Sequence, residues 1–170
     1  MSSAKRSTRR APISSRDAAG ADAIASRYDA PDASPGFLLW QVATLWQRAV
    51  REALLVVDLT HAQFVLLAST TWLHGADDGE PITQTRIAAH AKTDAVMTSE
   101  VLRTLEKRGL VRRLPHPGDA RAKQIEPTAA GRKLAQKAVA LVEAADEKFF
   151  EAPTVEVRAL ARVLGERFLA

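Results

Sequence analysis

"RRLPHPGDARAKQIEPTAAGR", residues 112–132, decides how this chain is read. The stretch is basic and holds three prolines and two glycines. Strand-type runs "LVRRL" (110–114) and "AKQIE" (122–126) flank "PHPGDAR", whose centre is made of turn formers. That pattern predicts a β-hairpin. Alone it reads equally as a solvated loop, so its neighbours must decide.

Upstream, Thr60 and Gln63 form a capping box that starts a helix running to Gly75, with Leu59 before it as a staple. Thr83 caps a short helix over 84–92, in which Ile87 and Ala88 face inward. A turn at Lys92–Asp94 leads into a helix over 95–108. Thr98, Val101, Leu102 and Leu105 form its inner stripe at helical spacing, and Gly109 takes the position after its end. Downstream, Thr128 caps a long helix to about Phe150, with a seam at Leu134, Ala138, Leu141 and Ala145. Pro127 cannot donate to a ladder, so the second strand is expected to stop there. Thr154 caps a final helix carrying Val157, Leu160, Val163, Leu164 and Phe168. At the other end, "DASPG" precedes a helix over 37–55 with Leu38, Val42, Leu45 and Ala49 on one face, and the folded core begins near Ser34.

Charge is segregated along the chain. Residues 84–137 carry twelve Lys/Arg against five Asp/Glu, whereas the chain as a whole is only +4. Residues 1–16 add five basic and no acidic side chains and read as a basic disordered tail. Solvated surfaces ordinarily mix both signs, so this segregation points to a polyanionic partner. The absence of cysteine excludes disulfides, thiol catalysis and thiolate metal sites. His61, His74, His90 and His116 fall on four separate elements, so no metal site and no cofactor is expected. No apolar run approaches the roughly 20 residues of a membrane span, and a cytoplasmic location is expected.

Two short helices joined by a tight turn and followed by a hairpin lay out a winged helix-turn-helix, in a mainly α fold with a small β-hairpin wing. The second helix of such a pair enters the DNA major groove and reads base edges. With the inner stripe fixed, the outward face is Val96, Met97, Ser99, Glu100, Arg103 and Thr104. These are the candidate contacts to bases and nearby phosphates. Glu100 reads either as an acceptor from cytosine or as the partner of a neighbouring charge.

"TQTRIAAHAKTDAVMTSEVLRTLEKRGLVRR", then "GDARAK", then "TAAGRKLAQKA", in that order and at these distances, resemble the MarR (multiple antibiotic resistance regulator) family of bacterial winged-helix regulators. The resemblance spans Ser34 to Ala170. It implies a homodimer in which the first helix and the last two helices intertwine. It divides the chain into an N-terminal extension (1–33), dimerisation helices (34–58 and 129–170) and a DNA-binding lobe (59–128). It implies that each wing tip enters a minor groove, with Arg121 matching the DNA-contacting arginine and Asp119 the acid that orients it. Arg112, Arg113 and Lys123 would then hold phosphates. The wing departs from the family pattern at "IEPT", where a leucine usually precedes the threonine.

The resemblance further implies a small aromatic carboxylate effector, bound between the dimer helices and the DNA-binding lobe. The first two helices offer Trp40, Gln41, Trp46, Arg48, His61, Gln63 and Phe64. Rings would stack on the acid and a cation would pair with it. The tryptophans read equally well as dimer core, and Arg48 more readily as a solvated charge. The function expected is a ligand-responsive repressor of a pseudo-palindromic operator, not an enzyme. The alternatives are a helical small-molecule binder and an adaptor whose basic hairpin docks an acidic protein.

Overall fold

The computed structural model describes residues 24–76, 80–118, 122–151 and 154–168. The elements run α1 (Pro35–Leu54), α2 (His61–Gly75), α3 (Gln84–Ala91), α4 (Ala95–Lys107), β1 (Val111–Pro115), β2 (Lys123–Pro127), α5 (Ala129–Phe150) and α6 (Thr154–Phe168). Two compact units are present, Met1–Val42 and Ala43–Ala170. In the first, a 3-10 turn at Pro31–Ala33 precedes Ser34. The Ser34 carbonyl accepts from the Leu38 amide at 3.0 Å and its hydroxyl from the Phe37 amide at 3.4 Å. Pro35 opens the helix with an amide-free residue, where a donor has no partner. Phe37 stacks on Trp40, with ring centroids 6.0 Å apart.

In the second unit α2, α3, α4 and α5 each begin where a side chain caps them. Thr60 accepts from the Gln63 amide at 3.2 Å, and Gln63 Oε1 accepts from the Thr60 amide at 3.1 Å. Thr83, Asp94 and Thr128 accept from the amides of Arg86, Met97 and Gly131 in the same way. Each such cap is worth about 1 kcal/mol. α4 ends in the 6→1 and 5→2-type bonds of a Schellman turn: Leu110 N donates to Leu105 O and Gly109 N to Glu106 O, both 2.9 Å. Gly109 has φ +69°, a conformation that side chains other than glycine adopt at a cost.

One core joins these helices. Leu54, Leu66, Leu67, Ile87, Leu102, Leu105 and Ile125 are buried, each stabilising by about 1.5–3 kcal/mol relative to exposure. Thr98 is buried as the spacing predicted, with its hydroxyl bonded to Asp94 O and to Thr93. α5 differs from its expected seam. Its most buried residues are Gly131, Ala135, Ala138 and Val142, while Leu134 and Leu141 pack only partly against the core. The small side chains let α5 lie close on α2, which is why the inner face sits beside the leucines.

The wing is an antiparallel hairpin in which Val111 faces Pro127 and Pro115 faces Lys123. Both strands lie one residue further along the chain than the sequence predicted, and β2 stops at Pro127, which is its last residue. The register explains why. Thr128 N donates to Leu110 O and His116 N to Ala122 O, so hydrogen-bonded pairs fall on every second position between them. Pro115 and Pro127 occupy the other positions, where no amide points across the hairpin. Pro127 is fully buried, and its carbonyl accepts from Arg132 Nη1 at 2.8 Å. The outer edge of β2 is also engaged: Ile125 N donates to Ile82 O at 2.7 Å, and Thr83 bridges to Gln124.

Candidate nucleic-acid interface

α3, the turn and α4 form the helix pair. Lys92 makes the turn with φ +54°, and its amide and that of Thr93 both return to Ala88 O. Burial of Thr98, Leu102 and Leu105 fixes the rotation of α4 and turns Val96, Glu100, Arg103 and Thr104 to solvent. Met97 and Ser99 are half-buried at its edges. Arg103 Nη2 lies 3.0 Å from Ser99 Oγ, one helical turn back. That contact holds the guanidinium along the exposed face. Thr104 Oγ1 returns to Glu100 O at 3.1 Å. Among the described residues Glu100 has no ion-pair partner, so its carboxylate stands open beside Arg103.

The wing arginines behave differently from one another. Arg112 donates through Nε and Nη2 to Glu126 Oε2 across the hairpin, at 3.0 and 2.7 Å, and stays well exposed. Gln124 holds the other oxygen of Glu126 at 3.2 Å. Arg112 is therefore a braced cation on the wing surface. Arg113 departs from its expected phosphate-facing position. Its Nε lies 3.3 Å from Glu106 Oε2, and Nε and Nη2 are buried with no hydrogen-bond partner. Alternation along a strand sends successive side chains to opposite faces, which puts Arg113 under the wing and Arg112 on top. Lys123 is exposed at the start of β2. Asp119 and Arg121 lie outside the described residues.

Of the residues expected around an effector, Trp46, His61, Gln63 and Phe64 make contacts within the second unit. Trp46 Nε1 donates to Asp146 Oδ1 at 2.7 Å, and its ring meets His61 edge-on at 5.2 Å, tying α1, α2 and α5 together. Gln63 is committed to the α2 cap and accepts from Arg108 Nη1 at 3.1 Å. Phe64 packs partly against the core. Arg48 is exposed, as are Trp40 and Gln41 in the first unit. An apolar cavity of about 670 Å³ opens between the later turns of α2 and the first turns of α5. Thr71, Trp72, Arg132, Gln136 and Val139 line it, together with several alanines and Gly75 whose small side chains leave the space. Trp72 is 73% exposed, unusual for so large an apolar ring. The available signal was the run of small residues opposite one another on two helices.

Burial and the nearby Arg51 push the His61 pKa below 6.5, and Asp146 opposes them. The unfolded chain therefore takes up this proton first as pH falls. Stability from the site is complete above pH 6.5 and is lost as pH drops through the folded value. Urea midpoints of wild type are expected to fall between pH 7.5 and pH 5 more than those of His61→Gln. Equal losses would contradict this assignment.

Residues 59–123 match the family model described as MarR family. The chain is 43% identical over 127 residues to the uncharacterized HTH-type transcriptional regulator YdcH of Bacillus subtilis (strain 168), covering 75% of this chain and 85% of that protein. It is 34% identical over 119 residues to the HTH-type transcriptional repressor Rv2887 of Mycobacterium tuberculosis, covering 70% and 81%. Its fold is similar to CouR from Rhodococcus jostii RHA1 bound to p-coumaroyl-CoA, with TM-score 0.69, 31% identity and coverage of 81% and 94%. It is also similar to a mutant MarR from E. coli complexed with operator DNA, with TM-score 0.66, 26% identity and coverage of 78% and 92%. With the capped helix pair, the outward face of α4 and the braced wing already in place, these likenesses establish that the chain belongs to the MarR family of winged helix-turn-helix transcriptional regulators and is not an enzyme.

Proposed function

We propose that the protein is a homodimeric repressor that binds a pseudo-palindromic operator and is released by a small aromatic carboxylate or its thioester. The observation that carries the DNA reading is the outward face of α4, fixed by its buried stripe and flanked by a basic wing. Val96, Met97, Ser99, Glu100, Arg103 and Thr104 read one half-site in the major groove. Arg112, Lys123 and Arg121 follow the backbone and the adjacent minor groove, with Asp119 orienting Arg121 and Arg113 supporting from beneath.

Dimerisation uses the helices of 34–58 and 129–170, and residues 59–128 form the DNA-binding lobe. Leu38, Val42 and Leu45 on α1, and Val157, Leu160 and Val163 on α6, are exposed apolar residues at helical spacing. Such faces are costly in water and fit a second copy of the chain. Repression is supported by the name of the mycobacterial relative, and an aromatic effector by the ligand of CouR. The cavity beside Trp72 suits that chemistry, with an indole to stack on a planar ring and Arg132 to pair with a carboxylate.

Fluorescence anisotropy on duplexes from the DNA flanking the gene, with p-coumarate, benzoate, an indole acid and p-coumaroyl-CoA added in turn, tests this reading. Specific binding reversed by one of these compounds is expected. Compound binding without salt-sensitive DNA binding would favour a small-molecule carrier, and DNA binding untouched by all of them would remove the aromatic effector. Arg121→Ala is expected to weaken operator binding at least about tenfold, because an arginine in a narrow minor groove meets enhanced negative potential. Unchanged affinity at moderate salt would sink the assignment of Arg121.

A further inference from the structure

Arg108 sits just past α4, on the extension of its buried stripe: positions 98, 101, 102 and 105 are followed by 108. At helical spacing its side chain leaves the helix on the side away from Arg103. The guanidinium reaches the junction of α1 and α2, where Nη1 donates to Gln63 Oε1 at 3.1 Å and Nη2 to Asp58 Oδ2 at 3.2 Å. Gln63 Oε1 also accepts the Thr60 amide, so one oxygen completes the α2 cap and receives the recognition helix. Asp58 is at a fixed bend, with φ +49°.

We infer that Arg108 is a positioning residue for DNA reading: it ties the C-terminal end of the recognition helix to the corner between α1 and α2 and contacts no DNA itself. The inference rests on the DNA-binding reading of α4. Asp58 is almost fully exposed, with its side chain at 98%, so water and salt screen that ion pair. Gln63 is the stronger anchor because its oxygen is already held in place. A planar fork reaches both acceptors at once, whereas a lysine ammonium offers a single point charge on a flexible stem. Both α4 and α2 carry small rotations into the tie, and a base-reading helix displaced by about 1 Å loses hydrogen-bond geometry before it loses phosphate attraction.

The experiment measures affinity of the full chain for its preferred operator duplex and for a scrambled duplex, each across a salt series. Wild type, Arg108→Ala, Arg108→Lys, Gln63→Ala, Gln63→Glu and the double variant Arg108→Ala/Gln63→Ala are compared, with melting curves for each. Arg108→Ala is expected to weaken operator binding about tenfold, with scrambled-duplex affinity and salt slope unchanged. Arg108→Lys falls between it and wild type and serves if the alanine variant does not fold. The double variant is expected to be no weaker than the worse single one, as for two residues acting through one contact. Gln63→Glu keeps both the cap and the tie and retains wild-type affinity. Equal losses on both duplexes with a salt slope shallower by about one would make Arg108 a phosphate contact and overturn the inference. Unchanged operator affinity in Arg108→Ala would overturn it as well. A wild type that does not prefer any duplex fails separately, at the DNA reading itself, and takes the inference with it.

Discussion

Gly131→Ala is expected to lower the melting temperature by about 10 °C, a loss of about 3 kcal/mol or more in a chain of this size. A Cβ at this position would collide with the Leu110 carbonyl oxygen and lie 2.9 Å from its carbon. The obstacle is backbone and cannot swing aside. The same carbonyl accepts from the Thr128 amide at 3.0 Å and from the Thr128 hydroxyl at 3.2 Å. Thr128 in turn caps α5 through the Gly131 amide at 3.0 Å. Relief of the clash therefore requires the start of α5 to leave the wing root, losing the cap and the last ladder bond together. Gly36, which has nothing within 4 Å of its Cβ position, supplies the control. Gly36→Ala is expected to melt with or slightly above wild type, since alanine loses less entropy in a helix. Gly131→Ala melting with wild type would show that α5 does not approach Leu110 as described.

Arg103→Ala is expected to weaken operator binding about 100-fold while leaving the fold intact. Arg103 is exposed, so its removal leaves no cavity and no buried group without a partner. Its Nη2 contact with Ser99 orders the side chain on the reading face before DNA arrives. A bidentate arginine–guanine pair is worth about 1–3 kcal/mol, and the proposed dimer would form it twice. The variant should also discriminate less at one base pair of each half-site, with its salt slope nearly unchanged. Titration of operator duplexes substituted singly at each position measures both effects. Wild-type discrimination by the variant would move the reading role to other residues of α4.

The parts of the fold legible in sequence were those set by local chemistry. Thr60 with Gln63, Thr83, Thr128 and Gly109 each act within one turn of chain, and the structure places all of them at helix ends as the sequence indicated. The stripe of α4 was equally legible, because Thr98, Leu102 and Leu105 recur at helical spacing and are flanked by polar residues. α5 was harder: alanines lie on both sides of its leucines, so periodicity alone does not choose between neighbouring faces. Strand ends shifted by one residue because the prolines needed positions without cross-strand amides, and register comes from pairing. The inward turn of Arg113, the Arg108 tie and the cavity beside Trp72 all depend on which distant elements meet. Side-chain spacing along one segment carries no record of that.

The most direct test of the central claim is anisotropy titration of the intact protein against duplexes from its own upstream DNA and a scrambled control, between about 50 and 200 mM salt. At least one upstream duplex is expected to bind about 1,000-fold or more tighter than the control, with affinity falling linearly in log–log form as counterions are released. Equal affinity for upstream and scrambled duplexes, or no binding at the lower salt, would contradict it.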